Sequence, residues 1–497
     1  MKYLAWFGVV FTTLLTIIYV AVFTPIGNGF IKPFVESKIE EKTQMESKFS
    51  TFLFNTTDFE MVLVLNQNNS VKVKGNYSLF SRSFNFSYEV GFQNLQSLSK
   101  LVGTPLNGTF FTNGTVKGDL AFMNIDGMTD IGNSKSAYHA TLADLTPASF
   151  TMKMKDAKLA SLLHLFSKNP YATADVDLEV NFKNLISHEM DGEITLKSKN
   201  GKIDPRYMKS DFNVTIPTTT FSMDLNAKLK GDDVDYRYDF LSNLFKISTW
   251  GKVVPQPLKA DIAYSLNIQD LEVLKPITGA DIRGALKLEG EAKGDKERLV
   301  LKGKSDIASS DTTFEILLKD FEPASIIAKV ENLEIEKLLY MFKYPELLVA
   351  VLDAKVDYNP VQRNGVFEGK ISKAKFEKNQ TFDAIKEFAK FDMYKEFFNG
   401  DVNAKIDQEN VLASLDLRSI DAAIKVKEAK LNTTTKQIDT DLTLKVKKDE
   451  FNAILKGDID SPKVTIDFEK FMKTEAGKNV QEKINKEVDK LFKKLIK

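Results

Sequence analysis

From about Phe52 to about Phe468 apolar and polar side chains alternate, which is the period of strands with one dry and one wet face. Leu258, Ala260, Ile262, Tyr264, Leu266 and Ile268 fall on one side of such a strand, with Lys259, Asp261, Ala263, Ser265 and Asn267 on the other. Phe84, Phe86, Tyr88, Val90 and Phe92 form an aromatic stripe, and Ile282, Leu286, Leu288 and Ala292 alternate with Arg283, Lys287, Glu289 and Lys293. Leu442, Leu444 and Val446 repeat the pattern late in the chain. Strands with one greasy and one wet face belong to antiparallel sheets. At about 16–18 residues per strand and turn, residues 51–470 hold on the order of 24 strands.

Two segments at the ends depart from this period. Met1–Phe23 carries a single charge, Lys2, and Tyr3–Phe23 carries none, a run long enough to cross a hydrocarbon core of about 30 Å. Residues 1–24 are therefore expected to form an uncleaved transmembrane anchor. The alternative is a cleaved signal peptide, but Val20-Ala21-Val22-Phe23-Thr24-Pro25 lacks the small-residue cleavage pattern. Lys2 before the span and Lys32 and Lys38 after it leave the orientation open. Residues 25–50 follow: Pro25–Gly29 reads as a break, and Ile31–Phe49 as an amphipathic helix with Phe34, Ile39 and Met45 among Glu and Lys. Residues 471–497 read as a basic amphipathic helix in which Val480, Ile484, Val488, Leu491, Phe492 and Leu495 share a face. Such a helix either docks on a membrane or a partner, or caps the end of the sheet.

The chain also repeats itself. Tyr88–Asp119 aligns without a gap on Tyr264–Asp295, including Gly103 with Gly279, Gly108 with Gly284 and Gly114 with Gly290. The same offset carries Thr146-Pro147-Ala148-Ser149 onto Glu322-Pro323-Ala324-Ser325, and Leu162, Leu163 and Phe166 onto Leu338, Leu339 and Phe342. Residues 88–180 and 264–356 are thus one unit used twice, the mark of an array. Each copy is expected to run from a strand into a helical turn (Leu95–Leu98, Leu271–Leu274) and a hairpin. A helical insert (Leu159–Phe166, Ile335–Phe342) then plugs or rims the sheet. A third insert is expected over Thr381–Phe398.

Composition narrows the function. Lys+Arg and Asp+Glu balance at 68 each, which excludes a broad nucleic-acid or anionic-surface field. There is no cysteine, so no disulfide, thiolate metal site or cysteine nucleophile. His139, His164 and His188 are scattered and make no metal-ligand spacing, and no nucleophile-elbow, P-loop or dinucleotide motif occurs. Lys117-Gly118-Asp119, Lys293-Gly294-Asp295 and Gly231-Asp232-Asp233 read as hairpin ends and a turn. No catalytic residue, metal or cofactor is expected. What remains is a chain with 37 phenylalanines, many of them on one-sided strands, an apolar face that must be covered by a second layer or by a ligand. Lipid acyl chains are the ligand that suits it.

On these features the chain resembles the AsmA-like family, within the bridge-like lipid-transfer proteins built on a repeating β-groove. The resemblance rests on the amino-terminal anchor, the Gly27-Asn28 and Ile31-Lys32-Pro33-Phe34 segment, the strand-rich interior, and Leu455–Asp467 with Gly457 through Pro462 before the last strand. It implies an elongated, twisted, taco-like antiparallel β-groove between two terminal helices. It also implies a bacterial inner-membrane protein with its body in the periplasm, moving phospholipid toward the outer membrane or aiding outer-membrane assembly, with an envelope protein as partner. The groove-lining residues expected from periodicity are Phe84, Phe86, Tyr88, Val90, Phe92, Leu258, Ile262, Tyr264, Leu266, Ile268, Ile282, Leu286, Leu288, Leu442, Leu444 and Val446. The alternative is a membrane-anchored scaffold whose sheet closes on itself and binds protein partners.

Overall fold

A computed structural model describes residues 22–186, 188–344, 346, 348–378, 383, 386, 391–458, 463–466, 473, 477 and 478. The chain is mainly β, 61 % strand, with 26 strands and a few short helices among the described residues. It divides into two compact units, one of residues 1–243 and 252–256, the other of 244–251 and 257–497.

In the first unit twelve strands, from Ser47–Phe54 to Asp233–Ser242, form a meander, each antiparallel to its neighbour in sequence. The second unit repeats this arrangement with thirteen strands, from Leu258–Ile268 to Lys463–Ile466. A strict meander gives each unit two rims. Tight turns such as Asp144-Leu145 and Asp320-Phe321 make the hairpin rim, and helical connections make the other.

Helix α1, Pro25–Thr43, lies along the free edge of the first strand. Asn28 Nδ2 donates to the Phe54 carbonyl (3.3 Å), and Glu36 Oε1 accepts from the Phe49 N–H (2.6 Å). Covering that edge removes a template for unwanted strand pairing. The expected helix over Ile31–Phe49 is thereby corrected. Thr24 caps the amino end, its hydroxyl accepting from the Gly27 N–H, and Pro25 sits where its missing N–H costs nothing. Gln44 then stops the helix in the left-handed region, and Ser47–Phe54 is already strand. Ile39, Met45 and Phe49 join one cluster with Leu63 and Leu65, whereas Phe34 is exposed.

The helical rim carries α2 (Ser99–Val102), α3 (Leu159–Leu165) and α4 (Pro205–Phe212) in the first unit, and α5 (Lys275–Thr278) and α6 (Ile335–Met341) in the second. The turns Leu95–Leu98 and Leu271–Leu274 precede α2 and α5. Bulges bend the strands toward these helices. Asp156 and Asn332 take positive φ (52° and 58°), and their N–H groups donate to Asp177 and Asp353, each at 2.8 Å. Full burial therefore concentrates here: Met154, Ala157 and Val176 in the first unit, and Leu333, Met341, Ala350 and Leu352 in the second. Among the described residues, no helix is long and apolar enough to cross a membrane. Residues 1–21 of the expected anchor (1–24), and all of the expected carboxy-terminal helix (471–497) but residues 473, 477 and 478, lie outside the described residues. Residues 381, 382, 384, 385 and 387–390 of the third insert lie outside them too. Its far end is a short helical turn, Met393–Lys395, and Phe398 begins a strand.

Candidate apolar face

Strand register turns the alternation along each strand into rows across the sheet. One row of the first unit reads Phe52, Met61, Val73, Tyr88, Gly114, Gly127, Tyr138, Met152, Val180, Ile194, Ala227 and Tyr236, one residue from each of its twelve strands. The next row on that face reads Phe54, Phe59, Gly75, Phe86, Val116, Ile125, Ala140, Phe150, Phe182, Gly192, Leu229 and Val234. No polar side chain but the tyrosines interrupts either row. The row between them points the other way: Glu60, Lys74, Ser87, Thr115, Asp126, His139, Thr151, Asn181, Glu193, Lys228 and Asp235.

The second unit has the same device. Its row Ile262, Ala292, Leu301, Ile316, Ile326, Tyr358, Gly365, Ile406, Val411, Leu431, Ile438 and Gly457 has no polar side chain but Tyr358. At about 4.8 Å per strand, twelve strands carry each apolar track for about 50 Å.

These rows are half-buried. Tyr88, Tyr138, Met152, Val180 and Ile194 are all intermediate in exposure, while Lys72, Lys74, Thr115 and Lys153 behind them are exposed. Burial pushes the hydroxyls of Tyr88, Tyr238 and Tyr264 above the usual tyrosine range, and for Tyr88 the Tyr138 hydroxyl adds to the effect. Tyr88 and Tyr138 stand three strands apart and lie down over Gly114 and Gly127 until their hydroxyls hydrogen-bond. Thr112 Oγ1 meets the Tyr138 hydroxyl at 2.7 Å and donates to the Met128 carbonyl at 2.8 Å. Only glycine permits this. A Cβ at Gly127 would stand 2.3 Å from the Tyr88 hydroxyl, and one at Gly114 2.6 Å from it. A polar pair is thus kept satisfied on an otherwise dry surface.

The opposite face is a lattice of exposed ion pairs: Lys74 with Glu60 and Lys72 with Glu89 (each 2.8 Å), and Lys293 with Asp261 (2.6 Å). These keep that face wet more than they stabilise it. A hollow of about 720 Å³ opens there among Glu60, Lys72, Lys74, Glu89 and Asp126. Its charges already have partners, Asp126 being bonded to His139 Nδ1 at 2.8 Å. Among the described residues no group of His, Asp or Glu is placed to hold a metal ion. His164 is exposed on α3, and His188 pairs with Asp232, which raises its pKa.

The residues expected to line the face divide into three groups. Phe84, Phe86, Tyr88, Val90, Ile262, Tyr264, Leu266, Leu286, Leu288 and Leu442 are half-buried on it. Phe92, Ile268, Leu444 and Val446 are fully buried (7, 5, 7 and 2 % exposed), because they stand at the covered, helical end of their strands. They are core, not open lining. Ile282 precedes its strand, which begins at Leu286, and packs against the rim cluster; Leu258 is exposed beside a hairpin tip. Gly114, Gly127, Thr112 and Tyr138 did not stand out from any single strand. The glycine pair itself recurs as Gly290 and Gly303, which is the signal that marks it. Val480, Ile484, Val488, Leu491, Phe492 and Leu495 lie outside the described residues. No protein-family model matches the chain, and no curated protein or solved structure shows significant similarity to it.

Proposed function

We propose that the chain is a membrane-anchored, non-enzymatic lipid-handling protein of the AsmA-like kind, its sheet forming a groove that holds phospholipid acyl chains. The anchor is Met1–Phe23, the body stands in the periplasm of a bacterial inner-membrane protein, and the amphipathic carboxy terminus meets a membrane or an envelope partner. The observation that carries this reading is the unbroken apolar rows across all twelve strands of the first unit, half-buried at every position but Val116, Gly192 and Ala227. Each methylene laid against such a surface gains at most about 0.8 kcal/mol. A row without charges or steps also lets a chain slide, which transport needs and tight storage does not. The rival scaffold reading draws on the rim clusters, where the sheet does bury itself under helices.

Photo-crosslinking in cells separates the two. A benzophenone side chain at Val180 or Ile194 on the full-length protein is expected to capture phospholipid, and one at Glu179 or Lys197 on the opposite face is not. Protein adducts at Val180 and Ile194 in place of lipid support the scaffold.

A further inference from the structure

The hairpin rim of the first unit is greasier than turns need to be. Phe80, Leu120, Phe122, Leu145 and Ile186 sit at four hairpin connections of that rim, and all are exposed. Two-residue hairpin turns favour Asn-Gly or Asp-Gly because both positions need positive φ. Here Asp144-Leu145 places a leucine at φ 64°, with its side chain in water, where glycine would cost nothing. Of these five tips only Leu145 recurs as an apolar residue in the second copy, as exposed Phe321. At the 176-residue offset Phe80 becomes Gln256, and Leu120-Ala121-Phe122 becomes Lys296-Glu297-Arg298.

The same rim is where the amino-terminal segment meets the sheet. Phe23 stacks on Phe54 (5.7 Å) and Phe54 on Tyr77 (5.0 Å), beside the turn joining the first two strands. Directly before Phe23 run the uncharged residues Tyr3–Val22. Exposed Ile26 and Phe30 begin α1 at this place. Successive hairpins stand two strands, about 10 Å, apart, so the tips from Phe80 to Ile186 span about 30 Å.

We infer that this hairpin rim rests in the interface of the phospholipid bilayer that holds the amino-terminal segment. Its aromatic cluster sits at headgroup depth, and Phe80, Leu120, Phe122 and Leu145 reach into the acyl boundary. Arg82 and Lys117 are set against Asp119, Asp144 and Asp232 along the rim, with no excess of cations, so the occupant is a zwitterionic surface rather than an anionic one. In this posture the strands of the first unit stand on the membrane, and the apolar rows next to the rim are within reach of lipid. The inference rests on the anchored reading.

The cysteine-free sequence allows a direct test. The full-length chain is reconstituted in phosphatidylcholine vesicles, carrying a single environment-sensitive fluorophore at Phe80→Cys, Leu120→Cys or Leu145→Cys. Lys296→Cys is the matched control and Val20→Cys reports on the anchor. Brominated lipid is expected to quench positions 80, 120 and 145 several-fold more than position 296, with little change on adding salt. Quenching at position 20 with none at 80, 120 and 145 overturns the rim proposal and leaves the anchor standing. No quenching at position 20 either overturns both. Protection of the tips from aqueous iodide without quenching by brominated lipid assigns the rim to a protein partner and likewise overturns it.

Discussion

Residues 88–180 and 264–356 are the same backbone written twice and decorated differently. The Leu95 N–H donates to the Gly108 carbonyl at 2.9 Å, and Leu271 to Gly284 at 2.8 Å; Asn107 donates to Leu165 at 2.9 Å, and Arg283 to Met341 at 3.0 Å. Even the positive-φ positions recur at the offset of 176: Asp144, Leu145, Asp156 and Ser167 against Asp320, Phe321, Asn332 and Lys343. The side chains filling this frame diverge in two places. On the dry face Tyr138 is replaced by Phe314, and the tyrosine opposite, Tyr264, donates to the Lys302 carbonyl (3.3 Å). At the helical rim the second copy adds a charge cluster, Lys343 with Glu272 and Asp281, and Lys275 with Asp281 at 2.8 Å. The first copy has Ser167, Gln96, Pro105 and Ser99 at those positions. What the copies share is what the fold requires; what they do not share is available to function.

The shared part breaks hardest. Gly127→Val and Gly303→Val each drive a side chain into the tyrosine and its cross-strand neighbour, since a Cβ at Gly303 would stand 2.6 Å from Phe314 and 2.7 Å from the Tyr264 hydroxyl. Each is expected to cost about 2 kcal/mol, with similar losses in the two units by hydrogen exchange. A large loss in one copy and none in the other would end the equivalence. Tyr138→Phe, which writes the second copy's residue into the first, should cost only about 0.5–1 kcal/mol. The Tyr88 hydroxyl then has the Asp126 carbonyl to turn to, the equivalent of Lys302. A loss several times larger would show the tyrosine pair to be a structural keystone.

The smallest effect is one of pH. Lys275 and Lys343 hold the Asp281 carboxyl at about 2, below its ordinary 3.8. A depressed carboxylate stabilises the fold in full above its unfolded pKa, and this stabilisation fades as the pH falls from about 3.8 through about 2. Acidification through that window should therefore speed exchange of the Arg283 amide, bonded to Met341, relative to that of Asn107, bonded to Leu165. Asp281→Asn should abolish the difference. Equal acid sensitivity at both amides in the native chain would remove the charge cluster as its cause.

Much of this architecture is legible along the chain, because a strand with one dry face must alternate. Phe84–Phe92 and Leu258–Ile268 carry their faces openly. The repeat is legible for a related reason: the glycines at tight turns tolerate no replacement by an ordinary side chain. Rows across the sheet are another matter. They depend on register, which turns and bulges set at a distance, so Gly127 and Tyr138 become neighbours of Tyr88 only after folding. Helix α1 begins not at Ile31, after Pro25–Gly29 read as a break, but at Pro25 itself, because Thr24-Pro25 is a cap and first-turn proline. Helix α4 carries the same kind of signal, with Asp204 Oδ1 accepting from the Arg206 N–H at 2.9 Å, in a stretch that alternation alone reads as strand. Full burial of Phe92 and Val446 depends on which strand ends the helices cover.

The central claim is that lipid covers the dry face. Native mass spectrometry of the full-length chain, purified from membranes and released from detergent in the instrument, tests it most directly. The account predicts phospholipid bound at a fixed stoichiometry above one per chain, reduced when Val180 and Ile194 on the dry face are changed to Asp. A stable, monodisperse and lipid-free protein would contradict it.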